Sequence, residues 1–115
     1  MVRDSIIYTG RSEIISYIGS YHASTFGALS ISGISLNMKR RLGPLLPETY
    51  HIPYPDCGHC YFGKRKETCS MECFQFIERS MDSHIPPEEV AAIIIEPIAG
   101  DFGFIEPSEE YFRKT

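Results

Sequence analysis

The fold of this chain is decided by the stretch Ala91-Ala92-Ile93-Ile94-Ile95-Glu96-Pro97-Ile98-Ala99-Gly100-Asp101. An unbroken apolar run ends there in a carboxylate, a proline, a glycine and a second carboxylate. No alternate position of the run is polar, which predicts a strand at residues 90–95 that is covered on both faces, as in a parallel sheet. Ligands of open α/β sheets lie outside the carboxyl ends of such strands. Glu96 and Asp101 are therefore candidate site residues, and an α/β enzyme is the leading hypothesis.

Other elements alternate around this strand. Residues 13–18 are β-branched or aromatic and lie between glycines, which is typical of a strand. Helices are expected from about Thr25 to Ile31 and from about Ser70, where apolar side chains recur at helical spacing. This order predicts an α/β fold with a mainly parallel sheet and crossover helices. Residues 34–68 contain four prolines and no sustained period, so we expect a long irregular excursion there.

The composition is that of one ordinary globular domain. The 115 residues are 43% hydrophobic and 23% charged, and eleven basic against fifteen acidic side chains give a net charge of −4. An acidic chain of this kind is not expected to bind nucleic acid. The uncharged stretch at residues 14–37 is rich in serine and glycine, so it is a poor bilayer span. The first residues lack the features of a signal peptide, and we expect a cytoplasmic protein.

Both ends of the chain resemble interrupted helices. Residues 5–8 followed by Gly10 are typical of the end of a helix. Ser108, followed by two acidic residues, is typical of the beginning of one. A complete domain rarely begins at a helix end and finishes at a helix start, so we expect a fragment of a larger domain.

Four cysteines lie in or beside the expected excursion with the spacing C-x2-C-x8-C-x3-C, namely Cys57, Cys60, Cys69 and Cys73. Four thiolates suit a tetrahedral zinc ion, which gives an alternative hypothesis: a small binding module stabilised by zinc. Two disulfides, or free thiols packed locally, are the other interpretations of the same residues.

Three blocks of sequence carry a family resemblance: Tyr8-Thr9-Gly10-Arg11, Tyr21-His22-Ala23-Ser24-Thr25-Phe26-Gly27-Ala28-Leu29-Ser30 and Ile95-Glu96-Pro97-Ile98-Ala99-Gly100-Asp101-Phe102-Gly103. With these blocks in order, the chain resembles the class III aminotransferases that use pyridoxal 5'-phosphate, of the 4-aminobutyrate, ornithine and acetylornithine type. The resemblance implies that residues 1–115 are an internal fragment of the large cofactor-binding domain of fold type I. It also implies a homodimeric parent that transfers an amino group from an ω-amino donor to 2-oxoglutarate.

The resemblance assigns roles to four residues. Tyr21 is expected to stack on the pyridine ring of the cofactor, with His22 beside it. Glu96 belongs to the cofactor and substrate site. Asp101 stands where the family usually has a glutamate that pairs with a switch arginine, but it is one methylene shorter. No residue matches the family's phosphate-binding turn or Schiff-base lysine, so the fragment alone is expected to be inactive. Ala23 stands where the family usually has a glycine.

Overall fold

The computed structural model describes all 115 residues and contains a three-stranded parallel sheet with helices packed around it. In chain order the elements are α1 (Val2–Thr9), β1 (Glu13–Ile18), α2 (Phe26–Ile31), α3 (Leu36–Lys39), β2 (Thr49–Pro53), α4 (Glu72–Ser83), a 3-10 turn (Pro87–Glu89), β3 (Val90–Ile93) and α5 (Glu109–Lys114). The strand order is β2-β1-β3. The α/β fold and the parallel sheet predicted from the sequence are confirmed. None of the helices has the length and hydropathy needed to cross a lipid bilayer.

The central strand β1 has the bounds that the sequence predicts. Its first five residues are buried, polar Glu13 and Ser16 included, because both faces and both edges are covered. Ile14 pairs with Thr49 on one side and with Ala92 on the other, both in parallel register. A strand in the middle of a parallel sheet is buried on both faces, and most of its residues are therefore apolar.

The expected excursion at residues 34–68 is only partly irregular, so that prediction is wrong for part of the segment. It contains the short helix α3 and the whole of strand β2. Pro53 is the last residue of β2 and Pro55 lies two residues further on. These prolines are the reason that the sequence did not predict a strand here. Since β2 lies at an edge of the sheet, a proline at its end removes no essential hydrogen bond from the ladder.

Strand β3 is shorter and less covered than its sequence predicts. The regular strand ends at Ile93, although the Ile94 N–H still donates to the Ile15 carbonyl at 2.8 Å. Residues Val90–Ile93 are half-buried because β3 is an edge strand, against which α1 packs. The expectation of a strand covered on both faces is therefore not met by the contacts within this chain.

Helix boundaries follow ordinary capping chemistry at most positions. Gly10 has the left-handed conformation (φ 69°) just beyond α1, and the Ser108 hydroxyl accepts the Tyr111 N–H at 3.3 Å at the start of α5, as predicted. Helix α4 begins at Glu72 rather than at Ser70, because Met71 is itself left-handed (φ 61°). The Ser70 N–H donates to the Glu72 carboxylate at 3.0 Å, which stabilises this start.

The core joins the sheet to the helices through a pair of buried phenols. Tyr17 of β1 and Tyr111 of α5 are both fully buried, and their hydroxyl oxygens lie 2.9 Å apart. The pKa values of both phenols are raised, mainly by burial, so both hydroxyls keep their protons. Their rings meet edge to face at 6.4 Å between centroids. This contact fixes α5 against the sheet.

The phenol pair gives a stability prediction. Tyr17→Phe leaves the Tyr111 hydroxyl buried without a partner, which should lower the free energy of unfolding by about 1–3 kcal/mol. Tyr17→Phe combined with Tyr111→Phe should be no worse than either single change, because no orphaned hydroxyl remains. Urea unfolding followed by circular dichroism measures both, with Tyr61→Phe as the exposed control. Strictly additive losses would contradict the pairing.

Candidate active site

The carboxyl ends of β1 and β3 are joined through a single carboxylate. Glu96 Oε1 accepts the backbone N–H of Tyr21 at 2.6 Å, and Glu96 Oε2 accepts the N–H of Gly100 at 3.2 Å. Hydrogen bonds to an ionised acceptor are stronger than neutral ones. The Glu96 side chain therefore holds the segment after β1 against the turn after β3, and Tyr21 and Glu96 open on the same edge of the sheet.

A buried tyrosine fixes the backbone of the same turn. The Tyr54 hydroxyl donates to the Glu96 carbonyl at 2.7 Å and approaches the Ile105 carbonyl at 3.3 Å. Burial first, and then the nearby Glu96 carboxylate, raise the pKa of Tyr54 to about 12, so the phenol stays a donor at neutral pH. Both the carboxylate and the carbonyl of Glu96 are thus held by other residues.

The two residues expected to face a ligand lie side by side after β1. Tyr21 is 38% exposed, so part of it remains open to a ligand. The His22 N–H donates to the Ser32 hydroxyl at 2.9 Å, whereas its Nε2 atom is buried and has no hydrogen-bond partner. Burial lowers the pKa of His22, against the opposing effect of the Glu96 charge, so the imidazole is neutral at pH 7.

Serine hydroxyls that the sequence reasoning missed support this segment. The Ser32 hydroxyl lies 3.1 Å from both the Ala23 and Ala28 carbonyls, and the Ser20 hydroxyl donates to the Tyr17 carbonyl at 2.6 Å. Ser32 and Ser20 are almost fully buried. The sequence does contain a signal for these two residues: Ser20 follows β1 and Ser32 follows α2, and serine hydroxyls commonly bond to nearby backbone groups at the ends of such elements.

Ala23 stands in a conformation that glycine adopts more easily. Its φ is 81°, in the left-handed region, where a Cβ approaches the neighbouring carbonyl. Backbone strain of this kind is concentrated at functional sites. The Ala23 carbonyl is held by Ser32 at 3.1 Å, so the surrounding hydrogen bonds maintain the strained turn after His22.

This geometry agrees with a family match over the whole chain. A profile described as "Aminotransferase class-III" matches residues 1–115. The chain belongs to the class III aminotransferase family. The family resemblance seen in the sequence is confirmed, while a 4-aminobutyrate or ornithine type is not singled out.

Individual relatives define what the chain is similar to. It is 46% identical over 106 residues to isoleucine 2-epimerase of Lentilactobacillus buchneri, a match that covers 92% of this chain and 24% of that protein. It is 41% identical over 108 residues to leucine/methionine racemase of Thermococcus litoralis, covering 94% and 24%. The structure of taurine:2-oxoglutarate aminotransferase from Bifidobacterium kashiwanohense, in complex with PLP and glutamate, matches with a TM-score of 0.82 and 30% identity, covering 98% and 26%. The chain thus spans about a quarter of the length of these relatives.

Asp101, the fourth expected site residue, makes no contact with Tyr21, His22 or Glu96 through a hydrogen bond or an ion pair. Asp101 is exposed within a turn, and its side chain makes no hydrogen bond or ion pair in the chain. Aspartate and glycine are the ordinary residues of such turns. Its predicted pairing with a switch arginine stays a prediction.

The zinc hypothesis for the four cysteines is not supported by the structure. No group of three or more His, Cys, Asp or Glu side chains is arranged to hold a metal ion. The thiols also differ in exposure: Cys57 and Cys69 are exposed, whereas Cys73 is half-buried in the first turn of α4. Burial raises the pKa of the Cys73 thiol to about 11, which opposes formation of the thiolate that zinc needs.

The double acceptor role of Glu96 can be tested directly. Glu96→Ala removes both hydrogen bonds from the edge of the sheet, which should lower the free energy of unfolding by about 2 kcal/mol. The Tyr21 amide should then exchange its proton with solvent much faster, as measured by hydrogen exchange with NMR. Asp101→Ala is the matched control and should change neither quantity. An unchanged Tyr21 exchange rate in Glu96→Ala would disprove the role.

Strain at Ala23 gives a second prediction for this site. Ala23→Gly should raise the free energy of unfolding by about 1 kcal/mol, because glycine has no Cβ to strain the left-handed conformation. Ala28→Gly, within α2, is the control and should lower it by a similar amount. Thermal unfolding measures the two changes in parallel. A loss of stability in both variants would show that Ala23 is unstrained.

Proposed function

We propose that this chain forms the ring-facing part of a pyridoxal 5'-phosphate site in an enzyme that acts at the amino-bearing carbon of its substrate. The observation that carries the proposal is the hydrogen bond from the Tyr21 N–H to Glu96, which unites the ends of two parallel strands. Ligands of open α/β sheets bind at such an edge. When bound, the cofactor supplies an electron sink for charge that develops on that carbon.

The residues at the edge fit a flat, polar aromatic ligand. Tyr21 offers a partly exposed ring at a backbone position fixed by Glu96, and ring stacking requires such a fixed position. His22 adds a neutral imidazole whose buried Nε2 lacks a partner. A polar group of a bound ligand would satisfy this atom, since buried polar atoms are normally hydrogen-bonded. Tyr21 and His22 are therefore our proposed cofactor-binding residues.

Glu96 and Asp101 have different parts in this proposal. Glu96 would lie beside the ligand, but both of its carboxylate oxygens accept backbone N–H groups. In this proposal it orients Tyr21 and adds negative charge to the site. Asp101 keeps an uncommitted carboxylate at the end of the same turn, where it can pair with a cationic group. We retain Asp101 as the residue that would pair with a switch arginine.

Transamination is the first candidate reaction. The donor would be an ω-amino compound of the 4-aminobutyrate or ornithine type, and the acceptor would be 2-oxoglutarate. The similarity to the taurine:2-oxoglutarate aminotransferase supports an ω-amino donor, since taurine carries its amine at the end opposite its acid group. We further propose that the full-length protein is a cytoplasmic homodimer, with the edge of the sheet facing its active site.

Racemisation or epimerisation of an aliphatic α-amino acid is the second candidate, and a specific observation favours it. The chain is 46% and 41% identical to an isoleucine 2-epimerase and a leucine/methionine racemase, against 38% to an adenosylmethionine-8-amino-7-oxononanoate aminotransferase of Geobacter sulfurreducens. Both reactions begin with removal of a proton from the amino-bearing carbon. They differ in the next step: racemisation returns a proton to the same carbon and consumes no 2-oxo acid, whereas transamination transfers the amino group to a 2-oxo acid.

A segment exchange tests the function and separates the two reactions. Residues 1–115 replace the matching segment in the Lentilactobacillus buchneri epimerase and, separately, in the Bifidobacterium kashiwanohense aminotransferase. Both hybrids should bind pyridoxal phosphate. Epimerisation of isoleucine is followed by chiral chromatography, and transfer from taurine to 2-oxoglutarate by glutamate release. Greater retention of activity in the epimerase host is expected if the chain carries racemase determinants, and greater retention in the other host assigns it to transamination.

Substitutions at Tyr21 provide the control within each hybrid. Tyr21→Ala should weaken cofactor binding about twofold to tenfold, because a stacking contact contributes roughly 0.5–1.5 kcal/mol. Tyr21→Phe retains the ring and should bind normally. Folded hybrids that bind no pyridoxal phosphate, or a Tyr21→Ala variant with unchanged affinity, would contradict the proposed site.

A further inference from the structure

A cleft separate from the Tyr21 edge collects all four cysteines of the chain. It has a volume of about 370 Å³ and lies between the segment after β2 and the first residues of α4 and α5. Cys57 and Cys69 are exposed, whereas Cys60 and Cys73 are half-buried. Thiols that are sixteen residues apart in sequence therefore share one space that is large enough for a small molecule.

Two of the thiols that line the cleft, Cys69 and Cys73, flank the first residue of α4. The Cys69 sulfur accepts the Met71 N–H at 3.4 Å and lies 3.6 Å from the Glu72 carboxylate. It is thereby folded back against the first helical turn, in which Cys73 directly follows Glu72. Cys69 is exposed and Cys73, four residues later, is half-buried, which suits an accessible thiol followed by a resolving one.

The burial of Cys73 makes it the less reactive of the two thiols, Cys69 and Cys73. Burial, with smaller contributions from the neighbouring Cys69 and Cys57 groups, raises the pKa of Cys73 to about 11. The thiolate is the attacking form of cysteine, so Cys73 is a slow nucleophile at neutral pH. Of the two thiols at the start of α4, the exposed Cys69 is therefore the one that a reagent in the cleft reaches more readily.

The charges around the cleft favour an anionic reagent. Lys64 lies 3.7 Å from Glu72, and Lys114 lies 3.6 Å from Glu110, so these four charges are paired. The Asp56 carboxylate accepts the Gly58 and His59 N–H groups and lies 3.6 Å from the His59 ring.

Two cations of the lining remain. Arg65 and Lys66 line the same cleft and make no ion pair. Guanidinium and ammonium groups without an acidic partner are ready to bind carboxylates. The unpaired charge of the cleft is therefore positive.

We propose that this cleft is a thiol–disulfide exchange site for a small disulfide that bears carboxylates. The Cys69 sulfur attacks one sulfur of the reagent, a new S–S bond forms, and half of the reagent leaves as a thiol that takes up the Cys69 proton. The Cys73 sulfur then attacks Cys69, forms the Cys69–Cys73 bond and releases the second half as a thiol. Two protein thiols are oxidised by two electrons, and one reagent disulfide is reduced to two thiols.

Glutathione disulfide is the probe for the test. The reduced 115-residue chain is mixed with it, and intact mass and peptide mapping follow the products over time. One glutathionyl group should appear on Cys69 first, followed by its loss and by a Cys69–Cys73 bond. Cys73→Ser should trap the mixed disulfide, and Cys69→Ser should abolish the fast reaction. Equal labelling of all four cysteines, or the same order of labelling in urea-unfolded chain, would overturn the proposal.

A charge variant tests recognition without touching the thiols. Arg65→Gln combined with Lys66→Gln should slow the reaction with glutathione disulfide several-fold at low salt, because exposed charges act over about 30 Å at 0.01 M salt and over only about 10 Å at 0.1 M. The same variant should react normally with neutral bis(2-hydroxyethyl) disulfide. Equal slowing with both reagents, or no slowing with either, would show that the two cations do not select the reagent.

Discussion

The site depends on one carboxylate held between two backbone N–H groups. Glu96 is half-buried at the end of an apolar strand, where an ionised group without partners would be costly. The N–H groups of Tyr21 and Gly100 supply those partners from two different segments. The parallel pairing of β1 with β3 makes this possible, because it brings both strand ends to one edge. The position of the aromatic residue thus follows from the need to satisfy a charge.

The sequence was most informative where a local pattern sufficed. The bounds of β1, the left-handed Gly10 and the capping hydroxyl of Ser108 follow from residues that are close in the chain. The shared edge of Tyr21 and Glu96 was also predictable, because a strand direction and a parallel sheet fix it. The family resemblance supplied the chemical roles, which no local pattern carries.

Other features depend on contacts that a linear pattern does not contain. Strand β2 was missed because its prolines are tolerated only at an edge, and edge position is a property of the whole sheet. The Tyr17–Tyr111 hydrogen bond joins residues 94 positions apart. The strained φ of Ala23 depends on Ser32, which holds its carbonyl from beyond α2. Cysteine spacing left zinc, disulfides and free thiols open, and only the spatial arrangement, in which no three candidate ligands are placed to hold a metal ion, argues against zinc.

The sheet of three strands leaves both of its outer strands with an unpaired side. Such strands can recruit a further strand from the same chain or from a neighbouring molecule. Pro53, and Pro55 just beyond it, protect the end of β2, since proline donates no backbone hydrogen bond. Val90–Ile93 has no proline; α1 packs against this strand, and the Arg11 guanidinium donates to the Val90 carbonyl at 3.2 Å. Self-association of the isolated chain at high concentration should therefore begin along β3, and charged residues placed there would improve its solubility.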